Sequence, residues 1–158
     1  EILIGLVGSE MCIRDRAYIY NKMGLTEQVA TTITIATPNP VRRFRFKNLD
    51  IECVKAYCMV YPDESLVPYL RLLDAIKDMK RIPGTTGQDI YNRVKSQYFN
   101  GYSLPELEKI VSLAKSYPPR VRKVVADILG DIRQTVLQTE MAKTILPTTR
   151  FNLDYKTA

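Results

Sequence analysis

The spacing of apolar residues changes period once along this chain, near Asp63, and that change fixes the class of fold open to it. Before it, apolar and polar residues alternate; after it, apolar residues return every three or four positions. Thr31 to Ala36 places Ile33 and Ile35 on one face, with Thr32 and Thr34 on the other. Val41 to Phe46 and Leu49 to Val54 repeat the pattern, with Phe44, Phe46, Leu49, Ile51 and Cys53 inward. Strands gathered before helices predict an α+β fold, here a three-stranded antiparallel meander followed by about four helices.

The register of the second and third strands can be written down from the residues. Lys47 and Asn48 form a two-residue loop, which sets Phe46 against Leu49 and Phe44 against Ile51 on the core face. The same register sets Arg45 against Asp50 and Arg43 against Glu52 on the other face, so apolar meets apolar and opposite charges meet.

The helical half carries its own punctuation. Asp63 or Ser65 caps a helix running to about Arg81, with Leu66, Tyr69, Leu70, Leu73, Ile76 and Met79 as its stripe, and Pro83-Gly84 ends it. Asp74 and Asp78 are spaced with Arg71 and Lys77 as solvated pairs on that helix. Thr86 to Phe99 forms a second helix through Ile90, Val94 and Tyr98. Ser103 and Glu106 match a capping box before a third, and Val121, Val124, Val125, Ile128, Ile132 and Val136 mark a fourth. Upstream, Gly24 suits the position just past a helix ending at Met23. Residues 146–158 read as an extended tail docked by Phe151 and Leu153.

Residues 1–16 stand apart. Leu6 to Arg16 resembles the translation of a transposase-type sequencing-library adapter, and Glu1 to Gly5 fits the index region before it. The expectation is that this stretch is not native and belongs outside fold reasoning. Setting it aside leaves 142 residues with 21 basic and 14 acidic side chains, a net charge of +7. Such a balance suits a polyanionic partner, most simply nucleic acid. It also leaves Cys53 and Cys58, whose spacing matches no metal or redox motif, and the chain has no histidine. No apolar run reaches the ~20 residues of a membrane span, so a cytoplasmic protein without a cofactor or metal is expected.

Two basic clusters are candidates for anion binding. Arg42 to Lys47 interleaves cations with phenylalanines, but Phe44 and Phe46 face the core and Arg43 and Arg45 have acidic neighbours. Arg42 and Lys47 remain as phosphate contacts. The sharper cluster is Pro118 to Lys123, which puts Arg120, Arg122 and Lys123 in the first turn of a helix, where the macrodipole favours acids. Either an anion binds there, or Asp127, Asp131 or another carboxylate neutralises the cations. No serine or cysteine has a histidine to activate it, so an enzyme is not expected.

Several short motifs follow one another in order: Tyr-Asn-Lys-Met-Gly-Leu-Thr-Glu-Gln-Val at 20–29, Ile-Ala-Thr-Pro at 35–38, Val-Arg-Arg-Phe-Arg-Phe-Lys-Asn-Leu-Asp-Ile-Glu at 41–52, Leu-Leu-Asp-Ala-Ile-Lys at 72–77, Tyr-Pro-Pro-Arg-Val-Arg at 117–122 and Leu-Pro-Thr-Thr-Arg-Phe-Asn-Leu at 146–153. Together they resemble the AbiEi-type antitoxins of bacterial abortive-infection systems. The resemblance implies a two-part regulator in which a winged helix binds operator DNA and a C-terminal domain completes the antitoxin. Such a protein represses its own operon and counters a nucleotidyltransferase-like toxin without a stable complex. On that reading residues 17–24 are the remnant of a missing winged-helix region or linker, residues 25–145 are the C-terminal domain and 146–158 its tail. The other reading open to the residues is a protein–protein interaction module with no nucleic-acid role.

Overall fold

The period change falls where the sequence places it. The computed structural model describes residues 20–27, 32–37, 43–46, 49–55 and 64–157. Strands β1 (Thr32–Thr37), β2 (Arg43–Phe46) and β3 (Leu49–Lys55) precede the helices α1 (Val67–Asp78), α2 (Gly87–Gln97), α3 (Leu104–Ala114), α4 (Pro119–Asp131) and α5 (Thr135–Ala142). Short 3₁₀ turns at Glu64–Leu66 and Phe99–Gly101 precede α1 and α3.

The expected meander is overturned. The strand order is β1-β3-β2, and β1 runs parallel to β3, with Ile33 opposite Ile51 and Ile35 opposite Cys53. Among the described residues only β2 and β3 form an antiparallel pair, in the register read from the sequence: Phe46 with Leu49, Arg45 with Asp50, Phe44 with Ile51 and Arg43 with Glu52. Alternation identifies which face of a strand is apolar, but it does not name the strand's neighbours, and this is where the expectation failed. Pro38 and Pro40 lack the N–H that a hairpin ladder between β1 and β2 would use. The central place goes to β3, whose Ile51 and Cys53 are fully buried.

The helices build a core of their own from Leu70, Leu72, Leu73, Ile76, Ile90, Val94, Ile110, Val124, Ile128 and their neighbours. α1 is buried on nearly all sides, which corrects its expected solvated pairs: Asp74 is 1 % exposed and Asp78 8 %. Of the two expected caps of α1, Asp63 lies outside the described residues and Ser65 sits within the 3₁₀ turn; the N-cap is Leu66, without a side-chain bond. α2 is capped by Thr86, whose hydroxyl accepts from the Asp89 N–H at 3.1 Å. The capping box of α3 is present: the Ser103 N–H and hydroxyl donate to the Glu106 carboxylate at 2.8 and 2.9 Å. These bonds to the charged form hold the Glu106 carboxyl below its ordinary pKa. Gly24 takes its expected place after the helix that ends in residues 20–22: its φ is 69°, and the Leu25 N–H returns to the Tyr20 carbonyl at 2.9 Å.

The fourth predicted helix is two helices, which makes five among the described residues after the sheet where about four were expected. α4 stops in a Schellman turn: the Gln134 N–H bonds to the Leu129 carbonyl at 2.8 Å and the Arg133 N–H to the Gly130 carbonyl at 3.0 Å. Arg133 stands in the left-handed region, φ 63°, where glycine is usual. Without that glycine the apolar spacing ran on to Val136, which is in fact 79 % exposed on α5. Arg133→Gly is therefore expected to stabilise the fold by about 0.5–1 kcal/mol in urea unfolding, relief of the left-handed strain exceeding the entropy cost of glycine. A loss of stability would argue that the arginine side chain compensates the strain.

Candidate nucleic-acid interface at the start of helix α4

Pro118 and Pro119 prepare this helix start. Pro119 occupies the first helical position, where its missing N–H costs nothing, and Val121 turns into the core at 2 % exposure. Arg120, Arg122 and Lys123 are left half-buried on the remaining faces, with no acidic residue in the first turn.

Each of the three cations finds a partner in the chain, two of them far away in sequence. Arg120 Nη2 pairs with Asp154 at 2.9 Å, Arg122 Nη1 donates to the Thr144 carbonyl at 2.5 Å, and Lys123 Nζ pairs with Asp127 at 2.6 Å. Each arginine also buries an Nε that makes no hydrogen bond among the described residues. The other two candidate contacts, Arg42 and Lys47, lie outside the described residues. Their neighbours on β2 are paired as expected: Arg43 with Glu52 at 2.5 Å and Arg45 with Asp50 at 3.3 Å. Both pairs are largely exposed and worth little to stability.

Along α1 and α4 lies a set of residues that sequence reasoning missed. Four tyrosine hydroxyls donate to aspartates spaced one turn apart on α1 and α4: Tyr117 to Asp74 at 2.8 Å, Tyr20 to Asp78 at 2.7 Å, Tyr155 to Asp127 at 2.9 Å and Tyr91 to Asp131 at 2.8 Å. Lys95 adds a pair to Asp131 at 3.1 Å and lies 5.4 Å from the centre of the Tyr91 ring. Tyr91 and Tyr155 stack with centroids 4.3 Å apart and planes 10° from parallel. Burial, then the adjoining carboxylates, raise the hydroxyl pKa of both above the ordinary tyrosine value. The sequence carried a signal, since Asp74 with Asp78 and Asp127 with Asp131 repeat one spacing. Their tyrosine partners, however, are 28 to 58 positions away.

The tail is docked by Tyr155, 7 % exposed, while the expected anchors Phe151 and Leu153 are only half-buried. Lys80 Nζ donates to the Asn152 carbonyl at 2.7 Å, and the Gln88 amide accepts from the Lys156 N–H at 2.6 Å and donates to its carbonyl at 3.3 Å. Asp154 lies against Gly87, the first residue of α2, where a methyl group would come within 2.3 Å of its Oδ2.

The arrangement defines a helical domain with a cationic helix start at which Arg120 and Arg122 meet partners from beyond α5 and Lys123 meets Asp127 of α4. Among the described residues no group of three metal-ligating side chains occurs, and no helix is long and apolar enough to cross a membrane. No protein-family model, curated protein or solved structure matches the chain.

Proposed function

We propose that this chain is part of an AbiEi-like antitoxin, a cytoplasmic, non-enzymatic regulator that represses its own operon and counters a nucleotidyltransferase-like toxin without forming a stable complex with it. The observation that carries the reading is the run Tyr117 to Arg122, one of the motifs behind the resemblance, which forms the start of α4 with Arg120, Arg122 and Lys123 at its positive end. A net charge of +6 supports a polyanionic partner, and the absence of histidine removes the commonest general base.

The toxin arm is tested by co-expression: the full-length gene should restore growth to cells making the nucleotidyltransferase-like toxin encoded beside it. Failure of rescue would sink the antitoxin reading. For the DNA arm, the chain should bind a duplex of its own promoter weakly and with strong salt dependence. Arg120→Ala with Arg122→Ala should cut affinity roughly tenfold at low salt and lower the slope of log K against log salt by about 2, one for each phosphate contact removed. An unchanged slope would place DNA contact elsewhere on the chain.

A further inference from the structure

The segment after α5 crosses the starts of α2 and α4 and is held by two unlike kinds of contact. Its centre is a buried anchor, the ring of Tyr155 flat on Tyr91 with its hydroxyl on Asp127. On both sides of the anchor the contacts are polar and near the surface: Lys80 on the Asn152 carbonyl, Gln88 on the backbone of Lys156, and Arg120 on Asp154.

The pair between Arg120 and Asp154 is the weak point of the closure. Its side chains are 28 % and 29 % exposed, so solvent screens it. It is also incomplete. The contact seen comes from Nη2, while Nε makes no hydrogen bond among the described residues. A phosphate accepts from a guanidinium in the same geometry as a carboxylate and would compete with Asp154 for the exposed side of Arg120. The close approach of Asp154 depends on Gly87, because a side chain there would collide with the carboxylate Oδ2 at 2.3 Å and with its Cγ at 2.5 Å.

We propose that residues 152–156 are an autoinhibitory strap in which Asp154 serves as an internal anion, occupying Arg120 until a nucleic-acid phosphate displaces it. The proposal rests on the nucleic-acid reading above. Tyr155 keeps the strap attached while the Asp154 contact exchanges, so opening does not require the tail to leave the domain. The device lowers affinity for stray polyanions and sets a threshold for binding.

The test is a fluorescence-anisotropy titration of the full chain and its variants with a short duplex of random sequence at low salt. Asp154→Asn removes the internal anion, and Gly87→Ala pushes Asp154 aside without changing charge. Both should bind about fivefold more tightly than the wild type, the limit set by a pair of this exposure. Arg120→Ala added to either variant should abolish the gain. Glu108→Gln, on the exposed face of α3, supplies the same change in net charge as Asp154→Asn and should have a smaller effect. A gain in Asp154→Asn that Glu108→Gln matches and Gly87→Ala lacks would reduce the effect to bulk charge and overturn the strap. Equal affinity of the wild type and both strap variants, with loss in Arg120→Ala/Arg122→Ala, would overturn the strap and leave the nucleic-acid reading standing. Absence of binding in every form would overturn both.

Discussion

Tyr155→Ala is expected to lower the stability of the domain by about 4 kcal/mol in urea unfolding, a core-sized loss from a residue in an otherwise extended segment. Three costs combine. The ring is 7 % exposed, so its removal opens a cavity over α2 and α4. The stack on Tyr91 is lost, worth about 1 kcal/mol beyond the area buried. Asp127, itself 8 % exposed, keeps Lys123 but loses the hydroxyl that satisfied its second oxygen. Leu153→Ala, at a half-buried position two residues away, should cost about 1 kcal/mol. Equal costs at the two positions would mean that the tail is held by a diffuse apolar contact, with no specific role for the tyrosine.

Alkaline pH should unfold the domain steeply above about pH 10. Tyr91 and Tyr155 have hydroxyl pKa values raised by burial and by the carboxylates they donate to, and burial pushes Tyr102 up to about 12. A group whose folded pKa lies above its unfolded value contributes stability that is complete below the unfolded pKa, about 10 for tyrosine, and lost as pH rises through the folded value. Each pH unit between the unfolded and the folded value costs about 1.4 kcal/mol for each such tyrosine, so stability falls steeply once the pH passes about 10. Ultraviolet absorbance distinguishes the groups. Tyr91 and Tyr155 should ionise only as circular dichroism is lost. If all ten tyrosines ionised together in a folded protein, the buried ties would be refuted.

The parts of the fold that were legible in the sequence rest on local chemistry. The β2–β3 register could be read because a two-residue loop fixes it, and because Arg43 and Arg45 each meet an acid. The capping box at Ser103 and the helix stop at Gly24 are short-range signals of the same kind. What could not be read depends on partners far along the chain. The parallel seat of β1 beside β3 is a choice among neighbours that alternation leaves open. The break at Arg133 hid because the left-handed residue is not glycine. The cations at the start of α4 looked uncompensated because two of their partners, Asp154 and the Thr144 carbonyl, come from beyond α5. Lys123 with Asp127 was the one neutralising pair that spacing could name.

The tyrosine–aspartate ties also act as an axial ruler for the packing of α1 and α4. Apolar surfaces built from leucine and valine tolerate sliding, since one branched side chain replaces another at little cost. The aspartates do not. If α4 slid by one turn, Asp127 would arrive where Asp131 stands, and Lys123 would arrive beneath the hydroxyl of Tyr155. The same slip of α1 would bring Leu70 to Tyr117 in place of Asp74. Either movement strands a buried hydroxyl or carboxylate, at about 1–3 kcal/mol or more for each group. The domain thus has one setting of its helices along their axes that satisfies all four hydroxyls, and that setting brings the tail to the start of α4.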